Sequence, residues 1–119
     1  MEFDNKSPIY LQVVDDICDR LISGEISPGD KLPSSRELAV TYGVNPNTAA
    51  RVYSELEARG ITYTKRGIGT FVTEDAAMAE KVKDEKMSEV VGKFIEQMKN
   101  FGVSREELIE IIKNYKEME

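Results

Sequence analysis

Asn45-Pro46-Asn47-Thr48-Ala49-Ala50-Arg51-Val52-Tyr53-Ser54-Glu55-Leu56-Glu57-Ala58-Arg59 is the stretch whose reading decides the fold. Its first two residues are a helix-start signal. The Asn45 side chain is able to accept a bond from an orphan backbone N–H, and Pro46 suits the first helical position, where its missing N–H costs little. At 3.6 residues per turn, Ala49, Val52, Tyr53 and Leu56 share one face, and Asn47, Ala50, Arg51, Ser54 and Ala58 share the opposite one. The first face packs inward. The second carries an amide, a hydroxyl and a guanidinium suited to base edges or phosphates, and its alanines let the backbone approach a duplex closely. This face by itself also fits an ordinary solvated helix, so its neighbours decide the reading.

Immediately upstream, Ser34-Ser35-Arg36-Glu37 has capping-box spacing, with Ser34 as cap and Glu37 reaching back. A short helix follows in which Leu38 and Tyr42 share a face. Gly43 ends it with a residue tolerant of positive φ, Val44 packs inward, and Asn45 starts the next helix almost at once. Helix, glycine turn and helix make a helix-turn-helix. Before it, Ser7-Pro8 repeats the cap-plus-proline signal and predicts a first helix. Tyr10, Val14, Ile17 and Leu21 line one side of it with Val13 and Cys18 alongside, while Gln12, Asp15, Asp16 and Asp19 face away as a solvated face. Gly24 terminates that helix. Residues 24–33 then form a turn-rich connector anchored by Ile26 and Leu32, with Met1 to Lys6 as a short tail at the other end.

Downstream, Ile61-Thr62-Tyr63-Thr64 and Thr70-Phe71-Val72-Thr73 are β-rich runs flanking Lys65-Arg66-Gly67-Ile68-Gly69. The expectation is a hairpin with a basic tip, its glycines exposing backbone N–H groups and its cations placed for phosphates or a minor groove. A basic hairpin directly after a helix-turn-helix is the wing of a winged helix.

In series, Pro8-Ile9-Tyr10, the 24–33 connector, Leu32 to Ala39, Val44-Asn45-Pro46-Asn47-Thr48 and Gly67-Ile68-Gly69-Thr70-Phe71-Val72 resemble the GntR family over roughly residues 8–73. The resemblance implies a bacterial transcription regulator that binds operator DNA as a dimer. It places DNA contacts at Arg36, at Asn45, Asn47 and Thr48, and at Arg66 and Gly67, and the neighbouring Ser35, Arg51, Lys65, Gly69 and Thr70 complete the candidate DNA-binding set. Many family members carry a basic residue where this chain has Pro46, and Arg51 is expected to take over part of that contact. Pro46 and the neighbouring asparagines are more similar to the YtrA-like branch.

From about Asp75 the composition turns to Ala, Lys, Glu and Met with no further proline. Met87, Val90, Val91, Phe94, Ile95, Met98 and Phe101 trace a helical stripe. Gly102 breaks it, and Ser104-x-x-Glu107 opens another helix bearing Leu108, Ile111, Ile112 and Tyr115. Such a hairpin leaves an apolar side uncovered, and pairing with a second copy is the favoured cover, ahead of folding back on its own domain. The full expectation is an α+β, mostly helical chain: an N-terminal winged helix-turn-helix over residues 1–74, then a short two-helix C-terminal dimerisation hairpin over 75–119. This tail resembles that of the YtrA-like branch and is too small for an enclosed effector pocket. That leaves a small-molecule effector, of unknown identity, only the space between subunits. Members of the branch often sit beside transporter operons.

Composition agrees by exclusion. The 119 residues hold one cysteine, Cys18, on an apolar face, which cannot form an internal disulfide, and no histidine, the commonest metal ligand and general base. The metal-binding tails of the family are excluded on that ground, and the expectation is no metal, no cofactor and no enzyme. No run approaches the roughly 18 apolar residues that span a bilayer, so the protein reads as cytoplasmic with no membrane partner. A net charge of −6 looks adverse to nucleic acid. Yet residues 31–73 hold six cations (Lys31, Arg36, Arg51, Arg59, Lys65, Arg66) against three anions (Glu37, Glu55, Glu57), a local balance of +3. That local excess cancels the objection and no more. From the resemblance and the uncovered tail, double-stranded DNA and a second copy of the chain are the expected partners of a palindrome-binding repressor. The rival is a protein-interaction module that uses the winged helix as a scaffold and the acidic tail for docking.

Overall fold

A computed structural model describes residues 1–116. The elements run α1 (Ile9–Ser23), α2 (Ser35–Tyr42), α3 (Pro46–Ala58), β1 (Thr62–Lys65), β2 (Gly69–Val72), α4 (Ala76–Asn100) and α5 (Arg105–Lys113). This is the mostly helical architecture read from the pattern, with one antiparallel hairpin. The chain divides into two compact units, Met1–Lys83 and Asp84–Glu119.

In the first unit α1 and α2 both pack on α3. Val13, Val14, Ile17 and Leu21 of α1 meet Leu38 and Ala39 of α2, Ala49, Val52, Tyr53 and Leu56 of α3, and Ile61 and Val72 of the hairpin segment. Leu56, Val52 and Ala49 are fully enclosed, the burial of Leu56 and Val52 being worth about 1.5–3 kcal/mol each. Cys18 lies buried among them. The unit continues beyond the composition change at Asp75, because Val82 joins this core and Met78 and Ala79 pack against it.

Local signals set most helix ends. Ser34 Oγ accepts the Glu37 N–H at 3.1 Å while Glu37 accepts the Ser34 N–H at 3.0 Å, a complete capping box. Gly43 closes α2 at φ 66°, a conformation glycine adopts without strain, so the chain reverses into α3 within three residues. The start of α1 differs from expectation. Pro8, not Ser7, occupies the cap position, with extended dihedrals, and its carbonyl takes the N–H groups of Leu11 and Gln12. Ser7 contributes its own carbonyl instead: Gln12 Nε2 donates to Ser7 O and to Asp4 O. The first residues are therefore not a loose tail, and Phe3 packs on the core.

The connector also does more than turn. Leu32 N donates to Thr70 O at 2.8 Å, Gly29 N to Val72 O and Val72 N to Asp30 O, so residues 29–32 lie along β2, and Lys31 bridges to Phe71. The hairpin strands are offset by one residue from the expected runs. Lys65 pairs with Gly69, leaving Arg66-Gly67-Ile68 as the turn, while Ile61 drops into the core and its N–H closes the end of α3 on Leu56 O.

In the second unit Ser104 and Glu107 form another complete capping box at the start of α5. Leu108 is buried and Met98 half-buried. Val90, Val91, Phe94, Ile95, Phe101, Ile111, Ile112 and Tyr115 are exposed, leaving an extended apolar surface. Among the described residues no helix is long and apolar enough to cross a membrane.

Candidate nucleic-acid interface

The site is built on the outward side of α3. Asn45 Oδ1 accepts the Asn47 N–H at 2.8 Å, and Pro46 stands at the first helical position, so this end of α3 is held by its own sequence. The helix is pinned to the start of α2 by the Tyr53 hydroxyl, which donates to Pro33 O. Burial and the loss of water push the Tyr53 hydroxyl pKa well above its ordinary value, so it stays a neutral donor. With Val52, Tyr53 and Leu56 facing the core, Asn47, Ala50, Arg51, Ser54 and Ala58 are exposed, and Thr48 is half-exposed. That is the row of small, polar and cationic side chains expected of a groove-facing helix.

Arg51 does not simply extend into solvent. Its guanidinium carbon lies 4.0 Å from the centroid of the Tyr10 ring in the first turn of α1. Glu55, one turn on, is occupied by Arg59 at 3.0 Å. Arg36 at the start of α2 and Arg66 at the wing turn are exposed, and among the described residues neither makes an ion pair.

The wing is stiffer than a basic loop. Tyr63 and Phe71 stack with centroids 5.8 Å apart, and the Lys65 ammonium rests 5.1 Å from the Phe71 ring and 5.8 Å from that of Tyr63. Lys65, expected in the tip loop with Arg66, thus belongs to β1 and lies back over the aromatic pair. At the turn, Gly67 has φ 77° and the Ile68 N–H closes on Lys65 O at 2.9 Å. Thr70 places its hydroxyl 3.4 Å from that of Thr64. Sequence reasoning had not assigned Lys31 to the site. Its Cε lies 2.8 Å from the point a Cβ on Gly69 would occupy, so the residue type at Gly69 lets a second cation cross the wing. Nothing local flags this, because the pairing joins the connector to β2.

Comparison with known proteins matches this arrangement. The sequence profile of the family described as bacterial regulatory proteins, gntR family, matches residues 9–72. Over 116 residues the chain is 48% identical to the uncharacterized HTH-type transcriptional regulator YhcF of Bacillus subtilis, covering 98% of this chain and 96% of that protein. A solved GntR family transcriptional regulator from Listeria monocytogenes superposes with a TM-score of 0.88 at 38% identity, covering 96% of this chain and 100% of the other. The DNA-binding domain of AraR in complex with operator ORX1 superposes with a TM-score of 0.56 at 31% identity, covering 61% of this chain and 93% of that one. These relatives are regulators, not enzymes. From the cap at Asn45 to the wing glycines, the residues that shape this surface fall within the matched span, and the chain belongs to the gntR family of bacterial regulatory proteins.

Proposed function

We propose that the protein is a homodimeric repressor that sets two copies of α3 into successive major grooves of a palindromic operator, with the wings on flanking backbone or minor groove. The observation that carries this reading is the exposed row Asn47, Ala50, Arg51 and Ser54 on α3, beside a wing that presents Arg66. Ser35 and Arg36 at the start of α2 contact phosphate, and Asn45, Asn47 and Thr48 approach base edges. Lys65, Gly67, Gly69 and Thr70 shape and charge the wing. The apolar surface of the second unit supports the dimer. Val90, Val91, Phe94, Ile95, Phe101, Ile111, Ile112 and Tyr115 make it too large and too apolar to remain solvated, and a second copy covers it symmetrically. From the branch it resembles, its target is a transporter operon.

Selection of bound sequences from a random DNA pool, run on protein of known oligomeric state, tests the reading. A recovered palindrome supports dimeric, specific readout, and a reporter under that sequence gives the sign of regulation. A folded protein that enriches nothing sinks it in favour of an interaction module built on the acidic tail.

A further inference from the structure

We infer that Tyr10 is a positioning residue for DNA recognition, holding the Arg51 guanidinium in a fixed plane whose edge is presented to a phosphate of duplex DNA. The inference rests on the reading of α3 as the DNA-facing helix. Arg51 lies on the exposed side of α3, and its guanidinium carbon is 4.0 Å from the Tyr10 centroid. A guanidinium that lies flat on a ring meets it with its face, whereas its five N–H donors lie in the plane, so such a stack would consume none of them. A free arginine side chain has many rotamers to lose when it is fixed on a ligand. Ordering it on a ring before DNA arrives removes much of that cost from binding.

Two features keep Arg51 available. Its natural quencher is Glu55, one turn later on the same helix. Glu55 instead holds Arg59 at 3.0 Å, in the favoured order of acid before base at i and i+4. Tyr10 is itself fixed: it is half-buried in the first turn of α1 and packs against the core that α1 and α3 share. The ring is therefore a platform set by the fold, and Arg51 is the one cation of the α3 row resting on it.

The test measures affinity of the full chain for its selected operator across a salt series. Tyr10→Phe, which keeps the ring, is expected to bind within about twofold of wild type, and Tyr10→Leu, which keeps apolar packing only, about three- to tenfold more weakly. Arg51→Gln weakens binding and lowers the salt slope by about one. In the Arg51→Gln background, Tyr10→Leu has no further effect. Arg51→Lys, an exposed change that does not threaten folding, retains the slope but loses affinity as Tyr10→Leu does. Equal losses from Tyr10→Leu in both backgrounds, or wild-type affinity in Arg51→Lys, overturn the inference alone. Wild-type protein that shows no preference for any sequence overturns the function beneath it as well.

Discussion

The hydroxyl of Tyr42, the last residue of α2, donates to Oδ2 of Asp16 in α1 at 2.6 Å, and Arg20 Nε donates to the same oxygen at 3.0 Å. Arg20 also holds Glu25 at 2.7 Å, so one polar cluster joins α1, α2 and the connector. Partial burial pushes the Asp16 carboxyl up, but the bonds from Tyr42 and Arg20 and the Arg20 charge outweigh it and hold the pKa below the ordinary value. Burial first, then the Asp16 bond, pushes the Tyr42 hydroxyl up to about 12.

Removing that hydroxyl with Tyr42→Phe is expected to cost about 1 kcal/mol at neutral pH, a hydrogen bond to a charge discounted for the water still reaching it. The pH dependence has a definite sign. The Asp16 pKa is lowered, so its contribution is present above 3.8 and is lost as pH falls through the folded value. The Tyr42 pKa is raised, so its contribution is complete below 10.0 and is lost as pH rises toward 12. Urea unfolding across pH should show wild type and Tyr42→Phe converging at both extremes.

At the start of α3 stability and recognition separate by substitution. Asn45→Ala removes the 2.8 Å cap bond to Asn47 N–H and is expected to lower stability by about 1 kcal/mol. Asn45→Asp keeps the cap and favours the helix dipole, so the unfolding midpoint holds, yet its charge opposes DNA phosphates and operator affinity falls. Unfolding and binding curves on the same preparations check both.

Lys31→Ala and Arg66→Ala are each expected to lower the slope of log affinity against log salt by about 0.9, the signature of one lost phosphate contact. Gly69→Ala strains a backbone at φ 147° and displaces Lys31, so it should reproduce the Lys31→Ala slope with an added loss of stability. A slope unchanged in Lys31→Ala would place that side chain off the DNA.

For the second unit, Phe94→Asp puts a charge into the apolar surface, where Phe94 is 40% exposed. Sedimentation should show the monomer mass, and operator affinity should drop by at least tenfold as the second half-site stops contributing. A dimer that survives this substitution together with Ile95→Asp removes this face as the interface.

Which helices form was legible from the residues, because caps and periodicity are local. Ser34 with Glu37, Asn45 with Pro46 and Ser104 with Glu107 satisfy orphan backbone groups within one turn of themselves, whatever the rest of the chain does. The inward face of α3 follows from a 3.6-residue period in the same way. Local reading went astray where a competing partner lay elsewhere. Pro8 stands at the cap of α1 while the Ser7 carbonyl accepts from Gln12 Nε2, and Asp16, read as part of a solvated face, accepts from the Tyr42 hydroxyl.

The sequence by itself thus determined the order of elements, the ends of α2, α3 and α5, and the core-facing residues of the first three helices. Only the tertiary structure decided that Arg51 rests on Tyr10, that Lys31 crosses Gly69, that Lys65 lies back on Phe71, and that Asp16 meets Tyr42. The reason is physical. A cap or an amphipathic stripe is set by neighbours along the chain, whereas the direction of a long side chain is set by whatever surface the packing of other elements brings beside it.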